Sequence, residues 1–120
     1  MNERDQLFLA HILEAIADIQ AFVVEGRASF MADRRTQSAV IRQLEIIGEA
    51  VKHLSAELTS REHVVPWRQI AGARDRLIHA YFKVDLDAVW GMVEHDLPTL
   101  RQNVRRIQGD QGPAYSTERS

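Results

Sequence analysis

A segment in the second half of the chain, ARDRLIHAYFKVD over residues 73–85, concentrates side chains that can act on a phosphate. It places Arg74, Asp75, Arg76, His79 and Tyr81 among apolar neighbours. Cleavage of RNA without a metal requires removal of a proton from the 2′-hydroxyl, delivery of a proton to the leaving oxygen, and positive charge near the phosphoryl oxygens. Histidine can perform either proton transfer at neutral pH, and the guanidinium fork of arginine matches a phosphate. These residue types therefore fit chemistry on RNA.

The spacing of these residues leaves more than one interpretation open. On a straight helix, Arg74 and Tyr81 lie within about 20° of each other, whereas Arg74 and His79 lie about 140° apart around the axis. A local distortion or a second chain is needed to bring Arg74 and His79 to one small ligand. Asp75 lies one turn before His79, so its carboxylate can orient the imidazole. On spacing alone, the more common arrangement is a core-edge histidine bonded to Asp75, with solvated arginines and a tyrosine whose ring is buried.

Other combinations of polar side chains predict less. Glu49 and His53 are four residues apart, a spacing that can bind a metal, but no second histidine pair accompanies them. Glu45 and Glu49 form a similar acidic pair, which is more typical of a solvated or interface edge than of a catalytic dyad. The sequence has no glycine-rich phosphate loop, nucleophile elbow or zinc-finger spacing. We therefore predict neither a metal nor a cofactor.

Length and composition limit the class of protein. A chain of 120 residues with 45% apolar and 27% charged residues is typical of one globular domain. It has no cysteine, no apolar run long enough for a membrane span and no segment that resembles a signal peptide, so we expect a cytoplasmic protein. The net charge of −2 argues against broad coating of nucleic acid, but residues 61–83 hold five Arg or Lys against two acids. If the protein binds RNA or nucleotides, that segment is where the site is expected.

The apolar periodicity predicts an all-α protein, an antiparallel up-and-down bundle of four main helices in a domain over residues 1–108. Residues 109–120 lack an apolar period and are predicted to form a disordered tail. An interior proline, Pro98, predicts a kink in the last helix. In the first predicted helix Asp5 is the N-cap and Gly26 the C-cap, and the second helix runs from about Asp33 to Leu58. The third spans about Pro66 to Phe82, and the fourth is capped by Asp85 and extends to Ile107.

Three blocks of the sequence together resemble the HepT-like family, which are HEPN-superfamily toxins of prokaryotic toxin–antitoxin pairs. The blocks are DRRTQSAVIRQLEIIGEAVKHLS, VPWRQIAGARDRLIHAYFKVD and VWGMVEHDLPTL, within residues 5–108. The IIGEA block and an arginine followed after four residues by a histidine and then, one residue further, by a tyrosine are specific in combination. The resemblance implies a helical HEPN bundle and a homodimer with metal-independent endoribonuclease activity in a cleft between the two subunits.

The resemblance also implies roles for individual residues. It maps the catalytic arginine of the family onto Arg74, its catalytic histidine onto His79 and its motif tyrosine onto Tyr81. The expected partner is a nucleotidyltransferase antitoxin that silences the toxin by transferring AMP to this tyrosine. The residue after the motif arginine is often asparagine in HEPN nucleases, and Asp75 stands here. We expect Asp75 to pair with His79, Arg74 or Arg76, so that Asp75 and Arg76 support the site. A non-catalytic scaffold that binds the nucleotidyltransferase is the alternative interpretation.

Overall fold

The computed structural model describes residues 1–79 and 85–109, without the side chains of Arg74 and of residues 76–79. Every regular element in these ranges is helical, which confirms the all-α bundle. None of the helices in the described part of the chain is long and apolar enough to cross a membrane. The elements are α1 (Glu3–Phe22), α2 (Arg27–Ala32), α3 (Arg34–Lys52), α4 (Ala56–Arg61), α5 (Trp67–His79), α6 (Leu86–Gly91), a π-helical turn (Met92–Asp96) and α7 (Leu97–Gly109).

The first helix starts earlier than the sequence predicted. Asn2 is its N-cap, because the side chain of Asn2 accepts a hydrogen bond from the backbone N–H of Asp5 at 2.7 Å. The prediction of Asp5 as the cap was therefore wrong. Asp5 is buried, and its carboxylate accepts from the backbone N–H of Ser55 at 2.8 Å and from the Ser55 hydroxyl at 2.6 Å. Asp5 lies in the first turn of α1 and Ser55 follows the end of α3, so these two helices run antiparallel.

The boundary after α1 also differs from the prediction. The helix ends at Phe22, so Gly26 is not its C-cap. Gly26 has φ of 93° and is the N-cap of the short helix α2. A left-handed backbone angle of this kind favours glycine, because it has no Cβ. Gly26 therefore turns the chain from α1 into α2.

The second predicted helix is two helices in the structure. Asp33 begins it as predicted, since its carboxylate caps α3, but α3 ends at Lys52. Ser55 then caps α4 by accepting from the N–H of Leu58 at 3.1 Å. The predicted end at Leu58 was wrong because Leu54 and Leu58 both face the core and so continue the apolar period across the break. The apolar pattern records burial and not helix continuity.

The last predicted helix is interrupted before its proline. Asp85 caps α6 as predicted, by accepting from the N–H of Ala88 at 3.0 Å. The π-helical turn then follows, and the N–H of Leu97 donates to the carbonyl of Met92. Pro98, which lacks an N–H, is the second residue of α7 and follows the π-helical turn directly. The irregularity expected at Pro98 is thus a wide turn just before it.

The core lies between the long helices. α3 packs against α1 on one side and against α5 on the other, and α7 packs against α1. Helices α1, α3 and α7 each contribute several buried apolar side chains. Among the described side chains, the shorter helices and α5 contribute one each, namely Phe30 of α2, Leu58 of α4, Trp67 of α5 and Val89 of α6. Phe22, the last residue of α1, is 41% exposed and does not belong to this core. The predicted tail, apart from Gly109 at the end of α7, lies outside the described residues.

Candidate active site on helix α5

The charged motif predicted from the sequence lies on one continuous helix. Arg74, Asp75, Arg76 and His79 all fall within α5, whose described bounds are Trp67–His79. Asp75 is exposed. The side chains of the other three lie outside the described residues, and Tyr81 lies outside them entirely. The helical spacing of the motif is therefore confirmed, while the meeting of Arg74 with His79 stays a prediction.

The start of α5 is fixed to the rest of the bundle through one loop residue. The indole N–H of Trp67 donates to the backbone carbonyl of Glu62 at 3.0 Å, and Trp67 itself is buried. The carboxylate of Glu62 accepts from the guanidinium of Arg106 on α7 at 2.8 Å. Helix α5 begins directly after Pro66, as predicted, because proline fits the entry to a helix. These contacts position the first turn of α5 against the end of α7.

The helical register divides the motif between two faces of α5. At 100° per residue, the positions of Arg68, Asp75 and His79 fall within about 20° of one line along the helix. The position of Arg74 is about 140° away from that of His79. Arg68 and Asp75 are exposed, so this line of α5 faces solvent at both described positions.

A shallow groove lies where the end of α3, helix α4 and the start of α5 meet. Its lining includes three basic or potentially basic side chains, Lys52, His63 and Arg68, all of them exposed. His63 and Arg68 belong to the basic segment predicted over residues 61–83, whereas Lys52 was not predicted to lie near it. Lys52 is distant in sequence, and only the antiparallel packing of α3 on α5 brings it to this groove.

A second cavity, of about 240 Å³, separates α5 from α7. Leu44 and Ile47 of α3 line it, together with Ile70 and Ala73 of α5 and Leu97 of α7. Polar side chains also line it, among them Gln69, Asp96 and Asn103. The cavity adjoins the helix that carries Arg74, since Ala73 immediately precedes that residue.

The Glu49 and His53 pair belongs to a different region. The His53 Nε2 atom lies 3.5 Å from a carboxylate oxygen of Glu49, and the Arg4 guanidinium lies 3.1 Å from His53 Nδ1. Because arginine can only donate, the Nδ1 atom of His53 is the acceptor of this hydrogen bond. The ring of Phe8 stacks on His53 with centroids 4.7 Å apart. Among the side chains that the structure describes, no three His, Asp or Glu are arranged to hold a metal ion.

Comparison with known proteins identifies relatives across nearly the whole chain. A sequence model of the family described as "Ribonuclease HepT-like" matches residues 12–107. A protein of Thermococcus cleftensis named "Probable ribonuclease HepT" is 42% identical over 109 residues, which cover 90% of this chain and 99% of that protein. A protein of Methanocaldococcus jannaschii named "Putative RNase MJ0127" is 38% identical over 116 residues, covering 92% of this chain and 96% of the relative.

A bacterial relative has a similar name. "Putative RNase TTE0752" of Caldanaerobacter subterraneus subsp. tengcongensis is 38% identical over 105 residues, covering 83% of this chain and 90% of that protein. No solved structure matches the chain. The matched region includes all of α5, and therefore the arginine and histidine of the motif.

Proposed function

Because this chain belongs to the HepT-like ribonuclease family, we propose that it is the toxin of a toxin–antitoxin pair and cleaves RNA at a site shared between two copies. One observation carries the proposal. The family match spans 12–107, and within it Arg74 and His79 lie five residues apart on the uninterrupted helix α5. The names of the relatives support an enzyme that acts on RNA.

The proposed reaction uses only proton transfers and positive charge. The 2′-hydroxyl oxygen attacks the adjacent phosphorus as its proton passes to a base, the bond from phosphorus to the 5′-oxygen breaks, and that oxygen takes up a proton. The products are a 2′,3′-cyclic phosphate and a free 5′-hydroxyl. His79 carries proton transfer, and Arg74 neutralises the phosphoryl oxygens. Transfer of this kind is typically worth about 10²- to 10⁴-fold in rate.

Two copies of α5 would supply the geometry that one copy lacks. On a single straight helix Arg74 and His79 are about 140° apart. A twofold axis that brings two α5 helices together lets Arg74 of one subunit face His79 of the other. Asp75, exposed and one turn from His79, would orient the imidazole, and Arg76 would support the positive field.

The proposed regulator is a nucleotidyltransferase antitoxin that modifies Tyr81. The phenol oxygen of Tyr81 would attack the α-phosphorus of ATP and release pyrophosphate, while the phenol proton passes to a base of the antitoxin. The added AMP would place a bulky anion two residues after His79 and so exclude the RNA phosphate. Mass spectrometry of the toxin after incubation with ATP and the antitoxin should show AMP on Tyr81, and Tyr81→Phe should remain unmodified.

Two single substitutions test the nuclease assignment. Arg74→Ala and His79→Ala should each abolish RNA cleavage and growth inhibition, whereas Arg105→Ala, an exposed arginine on α7, should retain both. Circular dichroism checks that all three remain folded. Full cleavage by either motif variant would contradict the assignment.

A non-catalytic scaffold is the second candidate function. The motif does not favour it, because a docking subunit does not need an arginine and a histidine at this spacing. Purified protein that binds the nucleotidyltransferase tightly but leaves a range of RNAs uncut, with or without chelator, would support the scaffold and exclude the nuclease.

A further inference from the structure

The groove between α3, α4 and α5 carries positive charge without the carboxylates that usually neutralise it. Lys52, His63 and Arg68 line it, and no Asp or Glu is among the described residues that do. Within the described chain, none of these three side chains forms an ion pair.

The nearest acid in the sequence is turned away and neutralised. Glu62 immediately precedes His63, but its side chain is only 12% exposed. Its carboxylate is 2.8 Å from the guanidinium of Arg106 and 3.9 Å from that of Arg61. The groove therefore keeps its positive field even though the segment includes a glutamate.

The floor of the groove is apolar and well packed. Val51, Leu54, Val65 and Trp67 line it and are buried, so they form a rigid surface that holds the cations apart. Helix α5 also begins in the groove, and the positive end of its dipole adds to the field of Arg68. A positively charged groove is one of the features by which proteins follow the backbone of a single-stranded nucleic acid.

The groove leads along α5 towards the proposed catalytic histidine. The position of Arg68 lies within about 20° of that of His79 around the helix axis. Eleven residues separate them, which is about 16 Å of helix, a distance that a few nucleotides of an extended strand can span. A strand whose scissile phosphate is at His79 therefore reaches Arg68 without leaving this side of the helix.

We propose that Lys52, His63 and Arg68 form a docking groove for the RNA substrate, binding phosphates a few nucleotides away from the scissile one. The proposal rests on the proposed ribonuclease function and adds a binding surface outside the catalytic motif. Contacts of this kind read the backbone and not the bases, so the groove supplies affinity and orientation without sequence preference. Asp75 lies between the groove and His79 on the same line and is the carboxylate that the strand must pass.

The test measures binding separately from cleavage. The probe is a fluorescent single-stranded 2′-O-methyl oligonucleotide of mixed sequence, which lacks the attacking hydroxyl, and anisotropy is followed over a series of salt concentrations. In Lys52→Gln/Arg68→Gln, affinity should fall about tenfold at low salt, and the slope of log Kd against log salt should decrease by about 1.4, that is, about 0.7 for each lost phosphate contact on a single strand.

Matched variants separate charge from folding. Arg68→Lys keeps the charge and should keep the salt slope, whereas Arg68→Gln should lower the slope by about 0.7. Arg105→Gln removes one exposed arginine outside the groove and should leave both slope and affinity unchanged. Thermal unfolding of each variant confirms that the fold persists. An unchanged salt slope in the double variant would overturn the proposal.

Two outcomes distinguish this proposal from the ribonuclease assignment. If the unaltered protein binds the probe through the groove but cuts no RNA, the catalytic assignment fails and the groove stands. If the protein cuts RNA and the double variant has unchanged KM and salt slope, the groove fails and the catalytic assignment stands. Loss of binding to the nucleotidyltransferase with RNA affinity intact would overturn the proposal and assign the groove to a protein partner.

Discussion

Helices α1 and α5 both pack against α3, but they present opposite kinds of polar chemistry. At the start of α1, a buried carboxylate, Asp5, is satisfied by two hydrogen bonds from Ser55. At the start of α5, Arg68 and the neighbouring Lys52 and His63 face solvent without an ion pair in the described chain. Polar groups that hold the fold are bonded and enclosed, whereas those that would hold RNA are left open. The two sets should therefore be separable by mutation.

The largest expected effect on stability is at the start of α1, where Asp5 is buried. Asp5→Ala removes the acceptor for the Ser55 N–H and hydroxyl, and Ser55 in turn caps α4. We expect the free energy of unfolding to fall by about 2–4 kcal/mol, since both bonds are made to a charged acceptor. Urea denaturation measures it, with Asp18→Ala, an exposed acid on the same helix, as the control.

The same variant also tests whether the start of α1 and helix α5 act independently. RNA cleavage per folded molecule should be unchanged in Asp5→Ala under conditions where it is folded. A loss of kcat/KM larger than the loss of folded protein would show that the start of α1 and helix α5 are coupled. The two sets of polar groups would then not be separable by mutation.

A smaller effect is expected where α5 is tied to the bundle. Trp67→Phe removes the indole N–H that donates to the Glu62 carbonyl but keeps a large buried ring. The free energy of unfolding should decrease by about 1 kcal/mol, the usual net value of one hydrogen bond. Chemical denaturation checks this value, and a loss above about 3 kcal/mol would mean that the ring, and not the bond, carries the contact.

The exposed side of α5 should respond in activity and not in stability. Asp75→Asn removes the exposed carboxylate between Arg68 and His79, so KM for RNA should fall a few-fold because repulsion of the phosphates is lost. If Asp75 orients His79, kcat should fall as well, by a few-fold. Steady-state kinetics separate the two constants, and an unchanged kcat with an unchanged KM would remove Asp75 from the site.

The smallest effect is expected at an exposed cap. The Thr36 hydroxyl and the backbone N–H of Arg35 donate to Asp33 and lower the pKa of its carboxyl below its usual value. Because this pKa is lower in the folded state, ionised Asp33 stabilises the fold at pH values above the pKa of the unfolded state. That stabilisation is lost as the pH falls through the folded-state pKa. Asp33→Ala should therefore lower Tm slightly at neutral pH but not near pH 2. An equal difference at both pH values would contradict the ionic contribution.

Periodicity and capping residues were enough to predict most of the bundle. Asp85 caps α6 as predicted, α3 begins after Asp33 where the second helix was predicted to start, and Pro66 precedes α5, because a helix start depends largely on local sequence. The break between α3 and α4 could not be predicted, since Leu54 and Leu58 are both buried and keep the apolar period through it. The π-helical turn depends on how α6 and α7 adjust around Pro98, which a count of residues does not reveal.

The motif on α5 could be recognised in the sequence, whereas the groove beside it could not. The arginine and histidine of the motif are neighbours in sequence, so one helix and a family resemblance identify them. The groove could not be predicted, because Lys52 and Arg68 line it together only through the tertiary packing of α3 against α5. The buried role of Asp5 was missed for the same reason, because its partner Ser55 is distant in sequence.

The most direct test of a shared ribonuclease site is complementation between two inactive variants. Arg74→Ala and His79→Ala are purified separately, unfolded together in equal amounts and refolded as a mixture. If Arg74 of one subunit acts with His79 of the other, about one quarter of the wild-type cleavage activity should return, because half of randomly paired dimers are mixed and each keeps one intact site. A mixture that stays as inactive as each variant alone, while refolded wild-type protein recovers its activity, would contradict the shared site.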